Sequence, residues 1–81
     1  MNVTVKLFAI LRDRAGIRET NLDLTDGNNV TEAVSQLVRR FPAVEPFVSK
    51  LAYAVNEQYV PADTELHDGD ELALIPPVSG G

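Results

Sequence analysis

Asn29-Val30-Thr31-Glu32-Ala33-Val34-Ser35-Gln36-Leu37-Val38-Arg39-Arg40-Phe41-Pro42 is the stretch of this 81-residue chain that decides its fold. Val30, Val34, Leu37, Val38 and Phe41 recur at helical spacing and define one apolar face. Asn29 stands three residues before Glu32, the spacing of an N-cap with its capping-box partner. Arg39 and Arg40 fall in the last turn, where the helix dipole favours cations, and Pro42 prevents continuation. The spacing therefore predicts one amphipathic helix that needs an apolar surface to cover.

Strands on both sides supply that surface. Upstream, Val3, Val5 and Leu7 alternate with Thr4, Lys6 and Phe8, the period of a strand with one buried face. Ala9 to Arg14 reads as a short helical turn closed by Gly16, and Asn21 to Leu24 resumes the alternation. Thr25-Asp26-Gly27-Asn28 is a turn cluster that leads into the helix. Downstream, Ala43 to Leu51 is a connector containing Pro46. Ala52 to Val55 and Gln58 to Val60 read as short strands around an Asn56-Glu57 turn. Asp68-Gly69-Asp70 is another turn, and Glu71 to Ile75 is the last strand. A hairpin, one helix across the sheet and returning strands describe an α+β two-layer domain over residues 1–75. Residues 76–81 form an extended C-terminal tail.

Bulk properties narrow the function. A chain of this length holds one core, burying about 60–65% of its unfolded surface. It has no cysteine, so it can neither form disulfides nor carry sulfur as a cysteine persulfide. A net charge of −5 with scattered basic residues argues against nucleic acid, which needs clustered Lys and Arg. No apolar run approaches the roughly 20 residues of a membrane span. The N-terminus lacks the basic start and apolar block of a signal peptide, so a cytoplasmic location is expected.

Internal chemistry finds no footing. His67 is the only imidazole, and without cysteine or a second histidine no nitrogen–sulfur metal site is expected. Asp68 and Asp70 flank Gly69 but lack the spaced oxygen ligands of a calcium loop, so they read as a turn. Ser35, Ser49 and Ser79 have no base partner, and the scattered glycines form no phosphate cradle. No cofactor is expected on this chain.

The chemical handle is then the terminus. Ile75-Pro76-Pro77-Val78-Ser79-Gly80-Gly81 ends in two residues without side chains, leaving the Gly81 carboxylate as the reactive group. A random chain ends in two glycines only roughly once in 200 at average usage. Pro76 and Pro77 favour an extended departure from the last strand. Val78 offers an apolar anchor, Ser79 is small and Gly80 adds almost no width. Val78 to Gly81 can span about 13 Å, enough to thread a narrow channel in a partner. Such a tail needs an anchoring surface elsewhere. If the first and last strands pair, Phe8, Tyr59 and Ile75 form an exposed apolar patch at its root. The other arrangement, with Phe8 and Ile75 packed under the short helix or a loop, stays open at this point.

Leu7-Phe8-Ala9 leading into Leu11-Arg12 and Gly16, the Leu66-His67-Asp68-Gly69-Asp70-Glu71 turn and the Pro76-Pro77-Val78-Ser79-Gly80-Gly81 terminus resemble the small, sulfur-carrying subunit of molybdopterin synthase. The resemblance runs through essentially the whole chain, and the Pro-Pro-Val-Ser-Gly-Gly terminus is its specific part. It implies a ubiquitin-like β-grasp fold with a mixed sheet. It also implies that a ubiquitin-activating-type adenylyltransferase uses ATP to convert Gly81 to an acyl-adenylate. A sulfurtransferase system then supplies sulfur to give a thiocarboxylate. The implied recipient is cyclic pyranopterin monophosphate, bound in the large synthase subunit of a heterotetramer. Two other readings share the activation step: a sulfur carrier for thiamine or cysteine synthesis, and a ubiquitin-like modifier that forms isopeptide bonds with lysines.

Overall fold

The structure, a computed structural model, describes residues 1–77. The first alternating segment forms β1 (Asn2–Leu7), with Val3, Val5 and Leu7 all buried on one face. The chain then turns through α1 (Ile10–Ala15), which ends where Gly16 takes a left-handed conformation at φ 78°. That backbone suits a residue without a Cβ. β2 (Glu19–Asp23) returns antiparallel to β1, pairing Val3 with Leu22 and Val5 with Thr20.

The decisive helix is α2 (Val30–Arg40), and both halves of its capping box are formed. The Glu32 N–H donates to Asn29 Oδ1 at 3.0 Å, and the Asn29 N–H donates to Glu32 Oε1 at 3.1 Å. Its buried residues are Val30, Ala33, Val34 and Leu37, whereas Val38 and Phe41 are only partly buried. The apolar stripe is thus centred one position nearer Ala33 than the large side chains alone indicate. Arg40 in the last turn reaches the Asn21 carbonyl at 3.0 Å, tying the helix end to β2.

A 3-10 helix (Pro42–Lys50) follows; it leads into β3 (Ala52–Val55), β4 (Gln58–Val60) and finally β5 (Glu71–Ile75). Asn56 and Glu57 join β3 to β4 with φ 49° and 70°. Two successive positive φ values match the twist of a tight hairpin. The sheet order is β2-β1-β5-β3-β4, with β1 and β5 parallel and the other neighbours antiparallel. One mixed five-stranded sheet with a helix across one face is the expected β-grasp arrangement.

The core lies between that face and α2. Leu22, Leu72, Leu74 and the three inward residues of β1 meet Leu11, Val30, Ala33 and Leu37. Val44 of the 3-10 helix and Leu66 of the loop before β5 complete the cluster, at 1% exposure each. At roughly 1.5–3 kcal/mol for a fully buried Val or Leu side chain, this cluster is the main stabilising term. Among the described residues the opposite face of the sheet carries no helix, and what it displays determines the site.

Candidate functional site

The open face is built by strand alternation. Leu72 and Leu74 of β5 point to the core, so Glu71, Ala73 and Ile75 point away from it. Lys6 pairs with Ala73, Ala73 with Ala54, and Ala54 with Tyr59, which makes one row across four strands. The next row holds Ile75 beside Ala52, and Phe8 follows β1 at the position that continues its register with β5. Two alanines in the middle of a row, with large side chains beside them, leave a trough. Ala54 is buried on this face without belonging to the main core.

The trough is a groove of about 310 Å³ that gathers Phe8, Tyr59 and Ile75. Ala54 and Ala73 lie with them, and Lys6, Glu57 and Glu71 supply its charged lining. Phe8 is 45% exposed and Tyr59 74% exposed, the two large hydrophobic side chains left open among the described residues. Ile75 is partly buried, and neither it nor Phe8 packs against the core cluster. Packing of these two side chains under α1 or a loop is therefore not the arrangement adopted. Lys6 Nζ stands 3.4 Å from Glu71 Oε2, with both side chains 39% exposed. A pair so open to solvent adds little stability, which leaves it free to re-pair.

Ile75, the last residue of β5, lines this groove, and the described chain continues from it through Pro76 and Pro77. β5 ends at Ile75, Pro76 is partly buried and Pro77 is exposed. The expectations for Val78, Ser79, Gly80 and Gly81 concern residues outside those described.

The remaining polar candidates have structural work. In the turn before β5, Asp68 Oδ1 accepts the Asn2 N–H at 2.7 Å. Asp70 Oδ1 accepts from Asn56 Nδ2 at 2.9 Å, and its Oδ2 accepts the His67 N–H at 2.8 Å. Asn56 in turn accepts the Glu71 N–H at 3.0 Å, fastening the β3–β4 hairpin to the start of β5. These carboxylates hold the turn together. Among the described residues, no three His, Asp or Glu side chains are grouped as metal ligands, and no helix is long and apolar enough to cross a membrane.

Sequence reasoning placed the three large side chains but passed over Ala54 and Ala73, which form the groove floor. The signal was present: Ala52, Ala54 and Ala73 occupy outward positions, while Tyr53, Val55, Leu72 and Leu74 point inward.

Known proteins share this chain from end to end. The ThiS family model matches residues 5–81. A molybdopterin synthase sulfur carrier subunit from Chlamydomonas reinhardtii is 40% identical over 83 residues, covering all of both chains. The crystal structure of SAMP1 from Haloferax volcanii superposes with a TM-score of 0.93 at 34% identity, again over the whole of both chains. A putative molybdopterin converting factor subunit 1 from Pyrococcus furiosus gives 0.86 at 31% identity, over 96% of this chain and 99% of that one. The family match over residues 5–81, with 40% identity across the whole of both chains, shows that this chain belongs to the ThiS family and is similar to the molybdopterin synthase sulfur carrier subunits.

Proposed function

We propose that this chain is the sulfur carrier of molybdopterin synthesis, acting in the cytoplasm through the carboxylate of Gly81. The observation that carries this reading is the apolar groove at the root of the Gly-Gly terminus. It supplies an anchoring surface next to a tail whose ordering costs entropy.

The chemistry starts from a poor electrophile. A free carboxylate resists attack, so an adenylyltransferase of the ubiquitin-activating type first joins it to the α-phosphate of ATP with loss of pyrophosphate. A persulfide sulfur from a sulfurtransferase then attacks the Gly81 carbonyl and expels AMP. Cleavage of the resulting acyl disulfide by a thiol leaves the thiocarboxylate. ATP is bound by the activating enzyme, and no cofactor is assigned to this chain.

Delivery uses the same tail. Phe8, Tyr59 and Ile75 dock on the large subunit of molybdopterin synthase, while Pro76, Pro77, Val78, Ser79 and Gly80 enter its channel. The thiocarboxylate then meets cyclic pyranopterin monophosphate at high effective concentration. Catalytic groups for that transfer are assigned to the large subunit. The test is reconstitution with the activating enzyme and ATP. Pyrophosphate release should require a free Gly81 carboxylate, and removal of Gly80 and Gly81 should abolish it without unfolding residues 1–75. Undiminished release from the truncated chain would overturn the proposal.

The similarity to a protein described as small archaeal modifier protein 1 of H. volcanii, at 32% identity over 95% of this chain, favours a second reading, a ubiquitin-like modifier. In that case the adenylated Gly81 would pass to lysine amines, and lysine-linked adducts would accumulate in place of the thiocarboxylate.

A further inference from the structure

We infer that Lys6, Arg12 and Arg18 form a cationic notch, adjoining the docking groove at Phe8, that receives carboxylates of the large synthase subunit. The inference rests on the proposal that Phe8, Tyr59 and Ile75 dock on that subunit. A pocket of about 270 Å³ is lined by Lys6, Leu7, Phe8, Arg12, Arg18 and Glu19. Lys6 and Phe8 also line the apolar groove, so the two depressions are neighbours on one surface.

The chain spreads its cations unevenly. Its net charge is −5, yet three of its seven Lys and Arg residues line this one pocket. Elsewhere Arg14 lies over the Phe47 ring at 5.5 Å, and Arg40 donates to the Asn21 carbonyl at 3.0 Å. Arg12 and Arg18 have no such occupation: both are exposed, and among the described residues neither forms an ion pair. Glu19 is the one carboxylate in the lining, and Lys6 stands 3.4 Å from Glu71, so even with both acids counted the notch stays positive.

The backbone fixes where the two arginines start. The Leu7 N–H donates to the Arg18 carbonyl and the Gly16 N–H to the Arg12 carbonyl, both at 2.8 Å. α1 thus doubles the chain back and brings residues six apart to one rim beside the end of β1. Exposed charges add little to folding stability. Beside a docking surface they steer encounter and set register. Because the notch continues a surface that meets a protein, the anions that reach it are Asp and Glu side chains, which a guanidinium grips through paired hydrogen bonds. The groove then supplies burial and the notch supplies orientation.

Arg12→Gln, Arg18→Gln, the double variant and Tyr59→Ala test this. Arg39→Gln is the control, an equal charge change on α2 at a residue lining a different pocket. Stopped flow follows association with purified large subunit at about 20 mM and about 1 M salt. Calorimetry gives Kd, and each protein is melted thermally. At low salt each single arginine loss should slow association about threefold and the double loss about tenfold. The deficit should shrink below about twofold at 1 M salt, where the Debye length is about 3 Å. Arg39→Gln should change the rate by less than about 1.5-fold, and melting temperatures should stay within about 4 °C. An unchanged rate for the double variant, a loss from Arg39→Gln as large as from either notch arginine, a deficit that persists at high salt, or a larger fall in melting temperature would overturn the inference. A weakened Kd for Tyr59→Ala beside normal association of the double variant refutes the notch alone. An unchanged Kd for Tyr59→Ala refutes the docking assignment on which the notch rests.

Discussion

Tyr59→Ala separates docking from folding more cleanly than any other change on the groove. Its side chain stands on edge strand β4 with 74% of its surface open, so the fold gains little from it. Its loss should cost less than about 1 kcal/mol, the span of strand preferences. Partner binding is another matter. Of the roughly 200 Å² that an aromatic side chain can bury, about 150 Å² is still available in the free protein. At about 25 cal/mol per Å², complete burial of that area sets a ceiling near 4 kcal/mol. Side-chain ordering and incomplete desolvation of the hydroxyl offset part of it, leaving about 2 kcal/mol. That corresponds to roughly a 30-fold weaker Kd. Titration calorimetry with the large subunit measures the affinity, and urea unfolding measures the stability. A Kd within about threefold of the natural chain would refute the groove as an energetic anchor. A stability loss above about 2 kcal/mol would show instead that Tyr59 supports the fold.

Other predictions concern the scaffold. Leu37→Ala removes a side chain with no exposure from the centre of the core and should cost about 2–5 kcal/mol in urea unfolding. Asn29→Ala deletes the side-chain half of the capping box and should cost about 1 kcal/mol, lowering the melting temperature by about 4–8 °C. Asn56→Ala loses the bonds to Asp70 and Glu71 and places alanine at φ 49°, so a loss of about 1–3 kcal/mol is expected in thermal or urea denaturation.

What the sequence made legible follows from periodicity. Val3, Val5 and Leu7, the Asn29–Glu32 capping pair and the Asn56-Glu57 turn are local patterns, and each became the element it predicts. Phe8, Tyr59 and Ile75 could be grouped once pairing of the first and last strands was supposed; that the pairing is parallel came from the structure. The pairing itself joins segments more than sixty residues apart, and no local pattern encodes it. Val44 and Leu66 were missed as core because Val44 sits in a proline-containing 3-10 helix with a single buried position and Leu66 in an irregular segment, so no repeating period marks the inward side. Ala33 was passed over because it contributes little hydrophobic surface, although its small size lets α2 approach the sheet. Ala9, read with the short helical turn, instead precedes α1 at φ 50°, and alanine carries no sequence signal for a positive φ.

The central claim is that Gly81 is the carrier of sulfur, and intact-mass measurement tests it most directly. The chain should be isolated from its own cell with its natural terminus preserved. The account predicts a species heavier by the replacement of one oxygen by sulfur, confined to the C-terminal fragment and lost when Gly81 is removed. Recovery of only the unmodified chain, or of the chain only as adducts linked through Gly81 to lysines of other proteins, would contradict it.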